Sequence, residues 1–250
     1  MSAPTERRYS VALAGLREAQ KPGDGVPAYT RWVNRRLARF VAAAAYTVGV
    51  SPNGVTGISA LLSAAGLALV VAVPPEPAVG LWVALLLAVG YVLDSADGQV
   101  ARLGRRGSPA GEWLDHVVDA IRTPAMHLAV LVGLSALSGI PTWPLVIALL
   151  YCLVSVGQFM SQILSEKLSG AAVPSTEVAG LRQSWVLLPT DTGVLCLAFV
   201  LWGWPPLFIA AYTALFALNA IHTAVSMRRK YTRLVALTVT AQPRREAELS

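Results

Sequence analysis

Four aspartates lie close together near the middle of the chain: Asp94, Asp97, Asp115 and Asp119. Residues three or four positions apart share one face of a helix, so each pair is predicted to point in a single direction. A short turn would make the two helices antiparallel neighbours, with both pairs at one depth. Converging carboxylates repel one another, and a divalent cation relieves that repulsion. Because oxygen ligands of this kind suit Mg²⁺, Mn²⁺ or Ca²⁺ better than zinc, the sequence predicts a metal site.

The residues between the aspartate pairs favour a phosphorylated ligand. Gly98 and Ala101 remove side-chain bulk beside the first pair, and Gly111 keeps the opposite helix equally open. Arg102 offers a planar fork of donors for phosphate oxygens. Mg²⁺ and Mn²⁺ commonly share their coordination with substrate phosphates, and two such ions can bridge a diphosphate. A carboxylate that is not fully used as a ligand could accept a proton from an attacking hydroxyl group.

The composition places this site in a membrane protein. The chain has 250 residues, of which 55% are hydrophobic and 14% charged, whereas a soluble domain carries about 25% charged residues. The net charge of +6 comes from basic residues grouped in 1–40, 102–106, 167–182 and 228–250, with Arg122 as the exception. Such blocks are typical of cytoplasmic segments and argue against a nucleic-acid partner. We therefore predict a multi-pass protein of the cell membrane, with both termini and the aspartate site facing the cytoplasm.

Uncharged stretches predict an all-α bundle of six membrane spans. The first such stretch, 54–73, already has about the length needed to cross a bilayer. The fifth span is short in purely apolar residues and is predicted to begin near Trp185, with Asp191 inside it. Prolines, glycines and charges mark the connections, since these residues interrupt membrane helices. The predicted turns fall at residues 74–77, 104–109, 138–144, 166–183 and 203–206.

Residues 28–47 are predicted to form an amphipathic helix at the membrane surface. Arg31, Arg35 and Arg39 recur every four residues, with apolar side chains on the opposite side. Such a helix lies with its basic face toward anionic lipid head groups. The chain before it lacks the apolar core of a signal peptide. The predicted organisation is a polar cytoplasmic segment at 1–27, a membrane domain at 28–228 and a cytoplasmic tail at 229–250.

The spacing of the acidic stretch resembles the signature of a known enzyme family. It reads Asp-x2-Asp-Gly-x2-Ala-Arg-x8-Gly-x3-Asp-x3-Asp, which is similar to the pattern of the CDP-alcohol phosphotransferase (CDP-alcohol phosphatidyltransferase) family of membrane enzymes. Eight defined positions at fixed intervals make this resemblance specific. The six spans and the amphipathic N-terminal helix are similar to the family as well. The eight positions are filled by Asp94, Asp97, Gly98, Ala101, Arg102, Gly111, Asp115 and Asp119.

The resemblance implies a reaction of phospholipid biosynthesis. Members of the family cleave the diphosphate of a CDP-linked alcohol, pass the phospho-alcohol to a hydroxyl acceptor and release CMP. By this analogy Asp94, Asp97 and Asp115 would hold a two-metal centre of Mg²⁺ or Mn²⁺. Asp119 would help to bind the second metal and act as base on the acceptor hydroxyl. A homodimer in the lipid membrane is a further implication.

The resemblance also implies substrate contacts around the aspartates. Gly98, Ala101 and Arg102 would lie against the CDP group, while Gly111 keeps the opposite helix open. The segment Pro52-Asn53-x2-Thr56 matches a pattern often seen at the start of the first span in this family. That match puts Asn53 and Thr56 near the nucleotide, although ordinary helix-start chemistry is an equal alternative.

Three charged residues near the site have two interpretations each. Arg122 either forms an ion pair with Asp119, three residues earlier, or contacts an anionic acceptor. Arg182 and Asp191 either contact the acceptor or, as loop charges usually do, set the topology.

Two other functions are compatible with the acidic stretch. An Mg²⁺-dependent intramembrane prenyltransferase also uses aspartate-rich motifs, but these normally lie on well-separated helices of a larger bundle. A non-catalytic, transporter-like membrane protein would have no need for the full set of aspartates with their glycine and arginine partners. Within the resembled family, the donor is either CDP-diacylglycerol or a soluble CDP-alcohol, and the sequence favours neither decisively.

Overall fold

The computed structural model describes residues 8–18, 25–169 and 181–248, and every regular element in these ranges is helical. The predicted all-α class is therefore confirmed. A π-helical turn at Thr30–Asn34 precedes α2, and 3-10 turns at Leu188–Thr190 and Phe199–Gly203 flank α8. The α-helices of the described ranges are α1 (Tyr9–Glu18), α2 (Arg35–Val48), α3 (Pro52–Ala72), α4 (Pro77–Leu103), α5 (Pro109–Ser135), α6 (Thr142–Ser169), α7 (Leu181–Val186), α8 (Thr192–Ala198) and α9 (Pro205–Glu248).

Five of these helices are long and apolar enough to cross a membrane: α3, α4, α5, α6 and α9 as far as Leu237. The chain is thus a multi-pass membrane protein. The predicted fifth span differs from the others, because its apolar part is confined to Thr192–Gly203. Seven α-helical and five 3-10 residues reach roughly 20 Å, less than the ~30 Å of a bilayer core.

The predicted start of the fifth span near Trp185 would require one continuous helix before and through α8. The structure shows a broken segment instead. The chain forms the short helix α7, passes through a 3-10 turn that contains Pro189, and becomes extended at Asp191. The Asp191 carboxylate caps α8 by accepting a hydrogen bond from the Gly193 N–H at 2.9 Å. Aspartate is a favoured N-cap residue, and here it ends the preceding turn and begins the next helix.

Two predicted boundaries lie close to where the helices begin. Ser51 caps α3 by accepting from the Gly54 N–H at 3.1 Å, as its position before Pro52 predicts. Ser108 does the same for α5, with the Gly111 N–H at 3.1 Å. Of the predicted loop at 166–183, residues 170–180 lie outside the described ranges, as do 1–7 and 19–24 of the N-terminal segment and the last two residues of the tail.

Small residues bring α3 very close to both helices that carry the aspartates. A Cβ atom on Gly90 of α4 would lie 2.6 Å from Ser63 Oγ, and one on Gly133 of α5 would lie 2.7 Å from the Val70 carbonyl oxygen. Ser59 adds a hydrogen bond from its hydroxyl to the Gly90 carbonyl at 2.8 Å. Close backbone approach of this kind is how helices pack in membranes. α3 therefore joins α4 and α5 into one unit.

The π-helical turn and α2 together have a buried side and an exposed side. Asn34 and Ala38 are fully buried against the bundle, whereas Val33, Leu37 and Phe40 are exposed. Most of the segment predicted at 28–47 is helical, first as the π-helical turn and then as α2, and its position at the membrane surface stays a prediction.

The helix α1 has no counterpart in the prediction for residues 1–27. Its apolar residues Ala12 and Leu16, four positions apart, are buried against α2 and α4. At the other end, α9 continues as a helix past the predicted boundary at 229.

Candidate metal and substrate site

The turn between the two aspartate pairs has a defined geometry. The Arg106 N–H donates to the Ala101 carbonyl at 2.8 Å, and the Arg105 N–H donates to the Arg102 carbonyl at 3.2 Å. These two bonds form a Schellman motif that closes the end of α4. Arg105 occupies its left-handed position, with φ of 49°, where glycine is the usual residue. The motif fixes the direction in which the chain leaves α4 toward α5.

The aspartate-bearing helices meet through a third helix rather than packing directly on each other. α3 packs against both α4 and α5, whereas α4 and α5 make few contacts with one another in the described residues. Space is thereby left between the two carboxylate pairs.

Three of the four aspartates converge in this space. One carboxylate oxygen from each of Asp94, Asp97 and Asp115 lies within 4.8 Å of the others. Asp97 is 6% exposed, and its Oδ2 accepts a hydrogen bond from Thr56 Oγ1 at 2.6 Å while its Oδ1 accepts from the Gly98 N–H at 2.5 Å. Three hard oxygen donors, one of them oriented by a neighbouring hydroxyl, fit a divalent cation such as Mg²⁺ or Mn²⁺.

Thr56→Val is expected to weaken metal binding because it removes the hydroxyl that orients Asp97 while keeping the shape of the side chain. We expect the Mg²⁺ or Mn²⁺ concentration for half-maximal activity to rise about 10- to 100-fold. Thr47→Val is a matched control, since the Thr47 hydroxyl donates to the Ala43 carbonyl of its own helix at 2.7 Å and bonds no other group among the described residues. Equal metal requirements in both variants would contradict this role for Thr56.

Asp119 is not one of the three converging carboxylates, but Arg122 links it to Asp94. Its Oδ1 is ion-paired with Arg122, whose Nη2 also contacts Asp94 Oδ1 at 2.6 Å and whose Nη1 donates to Ser59 Oγ at 3.1 Å. Of the two interpretations of Arg122, the ion pair with Asp119 is thus present, and it extends to Asp94. The Asp119 side chain is 29% exposed and that of Asp94 13%, so Asp119 is the more accessible of these two carboxylates.

A cavity of about 590 Å³ opens beside the carboxylates. Its volume is within the range of about 300–1,000 Å³ that is typical of small-molecule sites. A Cβ atom on Gly111 would lie 3.3 Å from Asn53 Oδ1, so the glycine lets the Asn53 side chain lie against α5. The cavity collects eight of the residues singled out from the sequence, namely Asn53, Thr56, Asp97, Gly98, Ala101, Arg102, Gly111 and Asp115.

Sequence reasoning missed several residues that line this cavity. Arg106 lies in the basic turn and His116 directly follows Asp115. The position of Arg106 four residues after Arg102 could have indicated it. Because a turn lies between them, however, helical spacing does not predict which arginine of the turn faces the cavity. Glu112 and Ser108, at the start of α5, complete the rim on that side.

The N-terminal part of α2 is tied to α4 beside the site. The Asn34 side-chain amide donates to Ser95 Oγ at 2.5 Å, and the Gln99 amide donates to the Arg35 carbonyl at 3.4 Å. Burial, reinforced by the neighbouring Arg31, lowers the pKa of the Arg35 guanidinium. Ser95 and Gln99, between the aspartates in sequence, therefore anchor the start of α2 to α4.

Asp191 and Arg182 lie elsewhere. Asp191 is 2% exposed, and its carboxylate accepts from the Thr30 N–H at 2.7 Å and the Thr30 hydroxyl at 2.9 Å. Together with the cap on Gly193, these bonds give Asp191 a structural role that joins the chain before α2 to α8. Arg182 lines a second cavity, of about 700 Å³, with His222 and Arg229. Of the residues that the structure describes, none lines both this cavity and the one beside the aspartates.

The fold and the site together define a helical membrane protein whose buried carboxylates are suited to metal-assisted chemistry on a phosphorylated substrate. The family model for CDP-alcohol phosphatidyltransferase matches residues 49–227, and the chain belongs to this family. The predicted resemblance is confirmed, and the protein is a transferase of phospholipid biosynthesis.

A solved structure shares the fold. The crystal structure of Mycobacterium tuberculosis phosphatidylinositol phosphate synthase in complex with manganese and citrate is similar, with a TM-score of 0.51 and 22% sequence identity. The similarity covers 76% of this chain and 86% of that chain. A comparison with curated proteins gave no match.

Proposed function

We propose that the protein cleaves the diphosphate of a CDP-linked alcohol, transfers the phospho-alcohol to a hydroxyl acceptor and releases CMP. The observation that carries this proposal is the convergence of Asp94, Asp97 and Asp115 within 4.8 Å at a cavity of nucleotide size. Family membership supports this reaction over the prenyltransferase and transporter-like alternatives.

The four aspartates of the site have two roles in this reaction, metal binding and proton acceptance. Asp94, Asp97 and Asp115, with Asp119, would hold Mg²⁺ or Mn²⁺, which supplies charge neutralisation of the diphosphate and the leaving CMP when bound. Asp119 takes the proton from the acceptor hydroxyl, a role that its absence from the three converging carboxylates and its greater exposure support.

The donor is held by residues that line the cavity. Arg102 faces the diphosphate with its fork of donors, and the absence of bulk at Gly98 and Ala101 lets the nucleotide approach α4. Asn53 and Thr56 contribute from α3. On the opposite side Gly111 leaves room for the same nucleotide, and Arg122 positions Asp119.

Release of CMP tests the proposal directly. Purified protein in lipid vesicles is expected to form CMP from a CDP-linked donor and a hydroxyl acceptor when Mg²⁺ or Mn²⁺ is present, and to stop when the metal is removed by EDTA. Asp97→Asn protein in the same vesicles is the control for contaminating hydrolases. If no panel of CDP-diacylglycerol, soluble CDP-alcohols and acceptors yields CMP, the transferase proposal fails and the non-catalytic alternative gains support.

The substrates require a second measurement. Lipids and polar metabolites compared by mass spectrometry after deletion and overexpression of the protein would separate the two donor classes. Accumulation of unused CDP-diacylglycerol after deletion identifies that lipid as the donor, whereas accumulation of a soluble CDP-alcohol identifies the second donor class. Arg182, in its separate cavity with His222 and Arg229, is a candidate contact for an anionic acceptor.

We propose the following membrane arrangement. Six spans, with Thr192–Gly203 as the short fifth one, leave both termini and the aspartates on the cytoplasmic side. The surface helix at 28–47 lies at the lipid interface, which the exposed Val33, Leu37 and Phe40 beside its arginines support. Labelling of single cysteines from either side of a sealed vesicle tests the orientation. Cross-linking in the membrane tests the homodimer that the family analogy implies.

A further inference from the structure

α1 lies outside the residues matched by the family model and packs on the helix that carries the site. Ala12 is 3% exposed and Leu16 is fully buried. Both belong to an apolar cluster that includes Val100 of α4, with Leu103 packed against it. A Cβ atom on Gly15 would lie 3.3 Å from Leu103 Cδ1, so α1 and the last turn of α4 are in direct contact.

The last turns of α4 have two faces. Asp97, Ala101 and Arg102 line the cavity, whereas Val100 and Leu103 belong to the cluster under α1. Arg102 is therefore in a turn whose other side is covered by α1. Helix ends open more easily than helix centres, even where a Schellman motif caps them as it does α4. A helix docked on the last turn opposes that opening.

The contact between Gly15 and Leu103 is nearer in sequence to Arg102 than to the carboxylates Asp94 and Asp97. Asp94 is two turns before the end of α4, and Asp97 is held by its bond from Thr56 of α3. The Thr56 bond therefore gives Asp97 a support from α3 that does not involve α1. Arg102, by contrast, is next to the C-terminal residue Leu103, which α1 contacts.

We propose that Leu16 is a positioning residue for the donor: its packing holds the last turn of α4, so that Arg102 stays against the diphosphate of the CDP-linked alcohol. This inference rests on the proposed function. It gives the N-terminal helix a defined part in substrate binding, although the family signature begins much later in the chain.

Kinetics with a CDP-linked donor test this role. Leu16→Ala is expected to raise the donor KM about tenfold, the size of a weakened charge-assisted hydrogen bond. The value of kcat and the Mg²⁺ concentration for half-maximal activity are expected to stay at wild-type values. Val11→Ala, on the face of α1 where Val11 is 64% exposed, is the matched control and should change none of them. If Leu16→Ala does not fold, the same kinetic measurements are made on the milder Leu16→Val, which removes one methylene.

A double variant shows whether Leu16 acts through Arg102. In the background of Arg102→Gln, adding Leu16→Ala is expected to cause no further rise in donor KM. A full additional tenfold rise, or a fall in kcat with unchanged KM, would mean that Leu16 supports the fold alone and would overturn the proposal.

Hydrogen exchange tests the docking without any turnover. The amides of Gly104 and Arg106, which donate to the Val100 and Ala101 carbonyls, are expected to exchange faster in Leu16→Ala than in Val11→Ala. Unchanged exchange would overturn this inference even in an active enzyme. Absence of CMP from the wild-type protein, with exchange altered as expected, would instead overturn the proposed function.

Discussion

Asp119→Asn is expected to lower turnover about 100- to 10,000-fold, the usual range for a lost general base. Binding of the CDP-linked donor is expected to be largely retained, because Asp119 is not among the three aspartates whose carboxylate oxygens lie within 4.8 Å of one another. Asparagine keeps the size of the side chain, and Arg122 retains its pairing with Asp94 at 2.6 Å, so the local structure should persist.

Asp94→Asn is the comparison variant, because it separates the loss of a metal ligand from the loss of a base. Asp94 belongs to the converging group, and its substitution is expected to reduce both turnover and the metal-dependent affinity for the nucleotide. Calorimetric titration of the donor, with and without Mg²⁺, measures that affinity in each variant. Equal losses of affinity in the two variants would argue against a separate role for Asp119 as base.

Arg122→Gln is expected to destabilise the metal-free protein by about 3–5 kcal/mol, the cost of leaving buried charges without their partner. The Arg122 side chain is 9% exposed and is ion-paired with two carboxylates, Asp94 and Asp119. Removing its charge leaves these carboxylates facing Asp97 and Asp115 with no compensation from Arg122. A bound divalent cation restores part of the lost positive charge.

Thermal unfolding in detergent with EDTA and with Mg²⁺ measures this effect. Mg²⁺ is expected to raise the Tm of Arg122→Gln more than that of the wild type. Arg122→Lys keeps the charge but loses the planar fork, so its Tm in EDTA should lie between those of Arg122→Gln and the wild type. A wild-type Tm in EDTA, together with a wild-type response to Mg²⁺, would show that Arg122 does not balance the charge of the site.

Local patterns in the sequence predicted much of the site. Helical spacing gave the shared faces of Asp94 with Asp97, and the turn residues indicated a break between α4 and α5. The resemblance then selected Gly98, Ala101 and Arg102, which line one cavity in the structure. Each of these inferences needs only residues close in the chain, for which helical periodicity is sufficient.

Contacts between distant residues could not be predicted in this way. The bond between Thr30 and Asp191 joins residues 161 positions apart, and neither residue shows a pattern that names the other. The insertion of α3 between α4 and α5 depends on glycines and serines such as Gly90 and Ser63, whose role emerges only when the backbones meet. The docking of α1 likewise depends on the buried side chains of Ala12 and Leu16, which lie in a segment predicted to be polar. Periodicity shows which face is apolar; it does not show which helix covers that face.

The cavity beside the aspartates has a consequence for the order in which the protein is made. Within the part of the chain that the structure describes, its lining residues lie between Pro52 and His116, and the three converging carboxylates fall in the same interval. A ribosome has therefore synthesised these lining residues before it begins α6. Contacts over such short chain separations close quickly compared with those that must wait for distant segments. The described residues of α6 to α9 add nothing to this lining, so they join the protein after the described donor-binding residues are already present in the nascent chain.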